Sequence, residues 1–295
     1  MSNIITKQLG VKMSVNVLII GYGYLGKALG KLLHTHHHQI FAIKRKATID
    51  DQHIQFIYKD IHHLTTADLP NSDYVIYCPS ADKRDQKSYD YTYLQGVTHI
   101  LKLYETKEQK PGKFIFISST SVYETQDGSW VDENTPCDPV SATAKILLQA
   151  EKVVSESELE TTIIRFSGIY GPGRTHLMDQ IRQKNFHLCF DTRFSNRIHI
   201  IDCARMIYHV MHLKVNQNLY IGTDCEPTPI NTISAWLSSH MGIPLPEDKH
   251  RKNEDIQEHK SNKQLSNEKI LHTGFRFEFE NFHRGFRFIL FNMER

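Results

Sequence analysis

The sequence has few of the features that mark secreted, membrane-spanning or nucleic-acid-binding proteins. Its five cysteines are an odd number without C-x-x-C spacing, which excludes a disulfide framework and favours a reducing compartment. No apolar run approaches the roughly 18 residues of a membrane-spanning helix, and no apolar segment of a secretory signal precedes the first strand. Lysine and arginine (35) barely exceed aspartate and glutamate (33), so the bulk positive charge of nucleic-acid binders is missing. The composition predicts a folded cytoplasmic protein with neither a membrane nor a nucleic-acid partner.

Short apolar runs alternate with stretches of helical spacing along the first half of the chain. The run 15–20 (VNVLII) is continuous, β-branched and ended by a glycine, which is typical of a strand buried on both faces of a parallel sheet. Similar runs predict strands at 39–43, 54–58, 74–78, 114–117 and 162–166, with helices near 89–104 and 142–156. This alternation predicts an α/β fold, a doubly wound parallel sheet of the Rossmann type, with ligands at the carboxyl ends of its strands.

A glycine-rich turn follows the first predicted strand and opens a helix. It reads GYGYLG from Gly21 to Gly26, the G-x-G-x-x-G pattern in the strand–turn–helix context of a dinucleotide site. Gly21 is expected to make the tight turn, Gly23 to let the backbone approach a pyrophosphate, and Gly26 to let helix and strand pack closely. The free N–H groups of the helix then bind the phosphates. Tyr24 and Leu25, within the same turn, are included in the predicted cofactor site.

Basic residues follow the second predicted strand, where a site for NAD usually carries Asp or Glu. Lys44 and Arg45 stand there instead and are suited to bind the 2′-phosphate of NADP through charge-assisted hydrogen bonds. The alternative interpretation is a solvated basic turn. Asp60 and Ile61, after the third strand, are predicted to border the adenine, and Ser118 belongs to the same cofactor site. The sequence therefore favours NADP(H) over NAD as cofactor.

Three further segments resemble the extended short-chain dehydrogenase/reductase superfamily, in particular its NAD(P)-dependent epimerase/dehydratase group. They are 118–123 (SSTSVY), 165–174 (RFSGIYGPGR) and 197–202 (RIHIID). With the glycine turn they follow the order of that group from residue 15 to about residue 204. The resemblance implies a Rossmann fold, an NAD(P) cofactor, a small-molecule substrate such as a nucleotide sugar, and a homodimer formed through the long helices. It implies an oxidoreductase or a sugar-nucleotide epimerase/dehydratase.

The catalytic residues that the resemblance implies are only partly present. In the group, a Ser or Thr after the fifth strand polarises the substrate oxygen, which assigns this role to Ser119 with Thr120 beside it. A Tyr in Y-x-x-x-K exchanges the proton, and its Lys holds the nicotinamide ribose. Here the tyrosine is missing. Only Ser141-x-x-x-Lys145 keeps the spacing, and an alkyl hydroxyl is a far weaker acid than a phenol.

Other residues of these segments remain open to two interpretations. Tyr123, Tyr170 and His199 are candidates to replace the missing proton donor, but each also fits a packing or hydrogen-bonding role. Arg174 and Arg197 are suited to hold a substrate phosphate or carboxylate, as the corresponding region does in sugar-nucleotide enzymes of the group, or to form a structural salt bridge. Asp202 is expected to orient local backbone or His199.

Two functions from different classes follow from these observations. The first is an NADP(H)-dependent oxidoreductase or sugar-nucleotide epimerase/dehydratase. The second is a non-catalytic NADP(H)-binding module that uses cofactor occupancy to regulate a partner, a hypothesis that the missing tyrosine motivates.

Four histidines at the end of the first helix, His34, His36, His37 and His38, are typical of metal-binding tracts. No acidic or cysteine pattern completes a site, so we predict solvated turn residues and no metal.

The chain is predicted to have three parts. Residues 1–14 form an N-terminal extension, 15–170 the NAD(P)-binding Rossmann domain, and 171–295 a small α+β substrate lobe with strands and helices that return to the core domain. Within the lobe, the charged stretch 247–263 is predicted to be a solvated loop. Alternating phenylalanines from Phe275 predict a short strand before the last helix.

Overall fold

A seven-stranded parallel sheet forms the centre of the molecule. The computed structural model describes residues 14–47, 51–186, 188–189, 191–214, 218–245 and 261–293. The strands of the sheet are β1 (Asn16–Ile20), β2 (Gln39–Lys44), β3 (Ile54–Tyr58), β4 (Tyr74–Tyr77), β5 (Lys113–Ser119), β6 (Thr161–Phe166) and β7 (Leu219–Gly222). Their spatial order is β3-β2-β1-β4-β5-β6-β7, with every pair parallel. The predicted doubly wound Rossmann fold is confirmed.

Helices cover both faces of the sheet and build a smaller lobe beyond its carboxyl edge. They are α1 (Tyr24–Thr35), α2 (Gln86–Tyr89), α3 (Gly96–Glu105), α4 (Ala142–Ser155), α5 (His176–Arg182), α6 (Ile200–Met211), α7 (Ile230–Met241), α8 (Glu268–His272) and α9 (Phe282–Met293). Short strand pairs join Gly168–Tyr170 to Arg197–His199, Phe194–Ser195 to Thr228–Pro229, and Trp130–Val131 to Gln264–Leu265. No helix in the described part of the chain is long and apolar enough to cross a membrane.

The central strand β1 is buried on both faces, as its continuous apolar run predicts. Val17 and Ile19 pack in the cluster that contains α1 and α6, while Leu18 and Ile20 pack in the cluster that contains α3 and α4. All four side chains are 0% exposed. Because successive residues of a strand point to opposite faces, one run of four apolar residues fixes β1 between two helical layers.

The predicted helix at 89–104 is interrupted in the structure. α2 runs into a π-helical turn, Asp90–Gln95, before α3 begins. The buried Tyr77 hydroxyl donates to the Thr92 carbonyl at 2.6 Å and lies next to Gly96, where a Cβ would meet it. A side chain inserted into the hydrogen-bond ladder widens the helix at that point. The interruption therefore has its cause in β4 and not in the helical segment itself.

The strand predicted at the alternating phenylalanines is wrong, although the alternation itself is real. Phe275, Phe277 and Phe279 are buried while the residues between them are exposed. Within the described residues this segment has no partner strand. Instead, the Asp202 carboxylate accepts the backbone N–H groups of Glu278 and Phe279, both at 2.8 Å. Asp202 thus holds the backbone of a distant segment, and not local backbone or His199 as expected.

The prediction of a solvated loop at 247–263 is wrong at its end; residues 246–260 lie outside the described residues. Lys263 is only 6% exposed. Asn196 fixes this segment, since its amide donates to the Lys263 carbonyl and accepts from the Leu265 N–H, both at 2.9 Å. Residues 264–265 also pair with Trp130–Val131. The segment is therefore held against the end of the sheet.

The C-terminal lobe has its own apolar core between α5, α7 and α9. Its buried residues include Met178, Leu237, Phe282 and Phe286. The helix α6 and the strand β7 lie between the lobe's elements in sequence, but α6 packs on the sheet and β7 is one of its strands. The extension predicted at 1–14 falls outside the described residues except for its last residue. The domain boundaries stay predictions.

A buried ion pair joins β6 to α4. Arg165 donates to the Glu151 carboxylate from Nε at 3.0 Å and from Nη2 at 2.6 Å, and the Ser118 hydroxyl donates to the same carboxylate at 2.5 Å. The two charged side chains are 7% and 6% exposed. Burial opposes the charge on Arg165, but its bonds to Glu151 outweigh burial and raise its pKa. Removing one partner alone leaves an uncompensated buried charge.

We expect Glu151→Ala to lower the free energy of unfolding by about 3–5 kcal/mol, because the Arg165 guanidinium is then buried without an opposite charge. The double variant Glu151→Met/Arg165→Met is expected to unfold close to the wild type, since it buries no charge. Urea unfolding measures both. Lys152→Ala, at the exposed neighbouring position of the same helix, is the control. A loss below 1 kcal/mol in Glu151→Ala would show that the pair does not stabilise the fold.

Candidate functional site

The three glycines of the turn after β1 differ in how closely other atoms approach them. Gly21 has φ +101°, and a Cβ there would lie 2.4 Å from the Pro79 nitrogen at the end of β4. A Cβ on Gly26 would lie 2.5 Å from the Gly21 carbonyl oxygen. At Gly23, by contrast, a Cβ would meet none of the described atoms within 4 Å. Backbone packing therefore requires glycine at the first and third positions, while the second faces open space.

The N-terminus of α1 opens into this space without a cap. Gly23 is the N-cap residue, no side chain caps the helix, and its first turn has no acidic residue. The first N–H groups of a helix lack intrahelical partners and carry partial positive charge, so they are suited to bind an anion. The turn also lies between β1 and β4, where the strand order reverses and ligands of such sheets bind.

A cleft of about 1920 Å³ extends from this turn to the C-terminal lobe. Its walls include Tyr24 and Leu25 from α1, Ser118–Ser121 after β5, and Phe286 from the lobe. Pockets for one drug-sized ligand measure about 300–1,000 Å³. The cleft is thus large enough for a dinucleotide and a second ligand side by side.

Positive charge dominates the described part of the cleft lining. One carboxylate, that of Asp191, stands against five cationic side chains, which are Arg84, Arg174, Arg193, Arg197 and Lys263. Such a lining concentrates anionic ligands because the low-dielectric walls focus its field.

Arg174 and Arg197 form no ion pair with any carboxylate in the described residues, so the structural salt bridge is not observed there. Arg197 Nε is buried and has no hydrogen-bond partner, and the guanidinium lies 5.8 Å from the Phe286 ring centre. Burial lowers the pKa of Arg197, although its neighbours Tyr170 and Asp224 favour the charged form. Arg174 is exposed and lies 5.4 Å from the Tyr24 ring centre. Both guanidinium groups are available to a ligand in the cleft.

Hydroxyl groups line the cleft where β5 ends. Ser119 is the last residue of the strand, and its Oγ accepts the Ser121 N–H at 3.1 Å. Thr120, 7% exposed, follows it. The Ser118 hydroxyl donates instead to Glu151, so a contact of Ser118 with cofactor would have to use its backbone. Ser119 and Thr120 are thus placed together on the cleft wall.

Ser141 and Lys145 lie apart from these hydroxyls. The Ser141 Oγ accepts the Ala144 N–H at 3.3 Å as the N-cap of α4, and Lys145 is exposed. Neither lines the cleft, which α4 approaches with Leu147. Lys145 precedes Leu147 by two residues, about 200° around the helix. The structure therefore brings two of the four predicted catalytic residues together and leaves two outside.

Of the three candidate replacements for the missing tyrosine, only Tyr170 lines the cleft. Its hydroxyl is buried without a hydrogen-bond partner, and burial raises its pKa. His199 is 0% exposed; it caps α6 through Nδ1, and burial lowers its pKa to about 4. Tyr123 is also buried, with the Arg165 guanidinium 4.8 Å from its ring centre. Of the two interpretations, proton donor or packing residue, His199 and Tyr123 therefore fit the packing role.

The basic residues at the end of β2, Lys44 and Arg45, do not belong to the cleft lining. Lys44 Nζ lies 4.4 Å from the Phe56 ring centre. Arg45 donates two hydrogen bonds to the Asp82 carboxylate, at 2.7 and 2.5 Å, and this pair is exposed. Asp60 accepts the His62 N–H and the Tyr91 hydroxyl, and Ile61 beside it is half-buried. These groups form the surface at the carboxyl ends of β2 and β3.

The histidine tract is not uniformly solvated. His38 is only 7% exposed, and His36 stacks on Tyr208 with ring centres 4.4 Å apart. The prediction of solvated residues is therefore wrong for His38. Within the described residues no group of three or more potential metal ligands is placed to hold an ion.

Lys263 lines the cleft, although no motif of the sequence indicates a function for it. It follows a charged stretch, and charge runs normally indicate solvent, so no pattern distinguished it from its neighbours. The pairing of residues 264–265 with residues 130–131 and the hydrogen bonds to Asn196 place it in the cleft.

Comparisons with known proteins agree with this geometry. The sequence matches the model of the NAD dependent epimerase/dehydratase family over residues 17–222. A "putative NAD-dependent epimerase/dehydratase" from Methylobacillus flagellatus is 27% identical, with a TM-score of 0.79 over 96% of this chain and 100% of that chain. No curated protein matches the sequence.

Two structures solved with ligands share the fold at lower identity. MoeE5, in complex with UDP-glucuronic acid and NAD, is 17% identical, with a TM-score of 0.80 over 95% of this chain and 99% of that chain. The UDP-glucuronic acid 4-epimerase from Bacillus cereus, in complex with the same two ligands, is 19% identical, with a TM-score of 0.73 over 88% and 92%.

The family match covers more than half of the chain and includes the glycine turn, all of the sheet except Asn16, and all three further segments that suggested the resemblance. The expected resemblance is confirmed. The chain belongs to the NAD dependent epimerase/dehydratase family.

Proposed function

We propose that the protein is an NAD(P)-dependent oxidoreductase or epimerase/dehydratase that acts on a nucleotide sugar. The observation that carries the proposal is the open space at Gly23, in front of an uncapped helix and at the mouth of a cationic cleft. Bare backbone and unpaired N–H groups fit a pyrophosphate, because a side chain there would occupy the space of its oxygens. The family membership supports a nicotinamide cofactor.

The proposed division of labour follows the cleft from β1 to the lobe. Residues 23–26 hold the diphosphate through backbone N–H groups. The bound cofactor would supply a carrier that accepts a hydride and returns it. Ser119 and Thr120 then bind the substrate oxygen at the reacting carbon, since both residues line the cleft. The Arg197 guanidinium, at the lobe side, holds the remote phosphates and so orients the substrate.

A nucleotide sugar is the substrate class that fits this charge distribution. Its diphosphate requires cations away from the reacting sugar, and Arg174 and Arg197 are available there. MoeE5 and the Bacillus cereus epimerase were both solved with UDP-glucuronic acid. UDP sugars are therefore the first substrates to test.

A non-catalytic dinucleotide-binding module is the second candidate function. The observation that favours it is Leu147, an apolar residue where α4 approaches the cleft. The two functions differ in one measurement. A protein that binds NAD(P)H but never changes absorbance at the nicotinamide band with a panel of UDP sugars, aldehydes and ketones would support the module and contradict the enzyme.

The finer cofactor prediction, NADP(H) over NAD, rests on Arg45. Its bonds to Asp82 are exposed, and exposed pairs of this kind contribute only about 0–1 kcal/mol. A phosphate dianion can therefore compete with the carboxylate for the guanidinium.

A cytoplasmic location and a homodimer also stay predictions.

Gly23→Ala is expected to weaken dinucleotide binding without destabilising the fold. Its φ of −94° is open to alanine, and the new methyl group meets no described atom. Titration with NADH and NADPH should show at least a tenfold increase in Kd, while Tm stays within a few degrees of the wild type. Gly26→Ala is the contrasting variant, because its methyl group collides with the Gly21 carbonyl and should lower Tm. Unchanged affinity for NADH and NADPH in folded Gly23→Ala would contradict binding of the diphosphate by residues 23–26.

Arg45→Ala should raise the Kd for NADPH and leave that for NADH unchanged, because only NADPH has the 2′-phosphate. Asp82→Asn should lower the Kd for NADPH, since it releases the guanidinium from a competing carboxylate. NADH binding serves as the internal control for both variants. Equal wild-type affinities for the two cofactors, untouched by either substitution, would show that the NADP prediction is wrong.

Arg197→Met should weaken UDP binding about 10- to 100-fold, since a hydrogen bond to a charged group contributes about 1.5–3 kcal/mol. Calorimetric titration with UDP measures this effect. Arg284→Met, at an exposed position of α9 outside the cleft lining, is the matched control and should bind UDP like the wild type. The same affinity in both variants would remove Arg197 from the substrate site.

A further inference from the structure

Lys263 occupies an unusual position for a lysine. It is 6% exposed, yet it belongs to the cleft lining, where the segment 261–265 crosses the end of the sheet. Its Nζ donates to the Tyr123 carbonyl at 2.6 Å and to the Ser261 Oγ at 2.7 Å. The Ser261 hydroxyl in turn donates to the Thr125 carbonyl at 3.2 Å, so towards Lys263 its oxygen acts as acceptor.

These two acceptors leave one position of Nζ without a partner among the described residues. In the neutral amine the Tyr123 carbonyl and Ser261 hydroxyl take both N–H bonds and that position is the lone pair, whereas in the ammonium it is a third N–H. No carboxylate in the described part of the chain forms an ion pair with Lys263. Glu124 and Cys137 are the ionisable groups whose charge acts on it. Burial lowers the pKa of Lys263 to about 8, against the weaker opposing effect of Glu124.

The position of Lys263 relative to Ser119 adds a second argument. Ser119 and Tyr123 are the two ends of the turn Thr120–Val122, so the amine bonded to the Tyr123 carbonyl lies against the turn that begins with the Ser119 hydroxyl. On the other side, α4 presents Leu147 to the cleft and keeps Lys145 exposed. Apart from Lys263, the nitrogen bases among the described lining residues are arginines, which do not deprotonate, and the exposed His176.

We propose that Lys263 is the proton-exchanging residue of the reaction, supplied by the C-terminal segment instead of by α4. The inference rests on the proposed enzymatic function. During oxidation of a sugar carbinol, the C–H bond breaks and its hydride passes to the oxidised nicotinamide. The O–H bond breaks, and its proton passes to the Lys263 lone pair. The product is a carbonyl held by Ser119, a reduced nicotinamide and an ammonium, and reduction runs the same steps in reverse.

The first test does not depend on turnover. Acetylation of each lysine by acetic anhydride is followed as a function of pH by peptide mass spectrometry, because only the neutral amine reacts. Lys263 is expected to acetylate with an apparent pKa near 8, and UDP-glucuronic acid should protect it from the reagent. The exposed Lys152 is the reference for reagent reactivity and should show no protection. An apparent pKa near 10.4, the ordinary lysine value, would overturn the proposal.

The second test uses Lys263→Met and Lys263→Arg with NAD⁺ or NADP⁺ and whichever UDP sugar the wild type converts. Both variants should lose about 10²- to 10⁴-fold in kcat, because the proton acceptor is gone. Both should retain NADH binding, because the glycine turn at residues 21–26 is unchanged. Arginine still donates hydrogen bonds but does not release its proton, so a merely structural role would be rescued by Lys263→Arg. The wild-type pH–rate profile should rise through a pKa near 8 in the oxidation direction, since the neutral amine is the active form.

The outcomes separate this inference from the proposed function. Wild-type turnover that persists in Lys263→Met refutes the role of Lys263 and leaves the enzyme assignment standing, and rescue by Lys263→Arg does the same. Absence of any nicotinamide binding by the wild type refutes the proposed function itself. Lys152→Met, an exposed position on α4, is the control for lysine replacement and should retain full activity.

Discussion

Close backbone packing at the end of β1 is the constraint on which the site depends. The Gly21 Cα lies so near the end of β4 that a Cβ would reach within 2.4 Å of Pro79, and Gly26 packs equally tightly on Gly21. These contacts force the chain into one path from strand to helix. That path leaves Gly23 facing open space and the first N–H groups of α1 unpaired. The same packing that stabilises the crossover therefore produces the candidate anion site, and the cleft extends from it.

Much of the fold could be predicted because its signals are local. Continuous apolar runs become strands buried on two faces, and the six predicted strands agree with observed ones to within about two residues. Predictions failed where a distant residue decided the local structure. Tyr77 widens the helix at 90–95 by bonding to its backbone, and Asp202 holds the phenylalanine segment in place of a partner strand. Neither effect can be predicted from the sequence of the segment that it changes.

The candidate site divides in the same way. The glycine turn and the Ser119–Thr120 pair could be found from spacing, since each lies at the end of a recognisable strand. Ser141 and Lys145 matched a sequence spacing, but the rotation of α4 about its axis turns Leu147 to the cleft and Lys145 to solvent. Lys263 had no sequence signal, because its burial depends on bonds to Asn196 and on pairing with residues 130–131. The position of Lys263 thus depends on tertiary contacts, whereas the glycine turn and the Ser119–Thr120 pair are encoded locally.

The central claim is that the backbone of residues 23–26 binds the diphosphate of a nicotinamide dinucleotide. Amide hydrogen exchange with and without saturating NADPH tests it most directly, because it reports on the N–H groups themselves. The account predicts slowed exchange in a peptide spanning residues 22–27, with little change in the exposed part of α4. Saturable cofactor binding with unchanged exchange at this turn would contradict the claim.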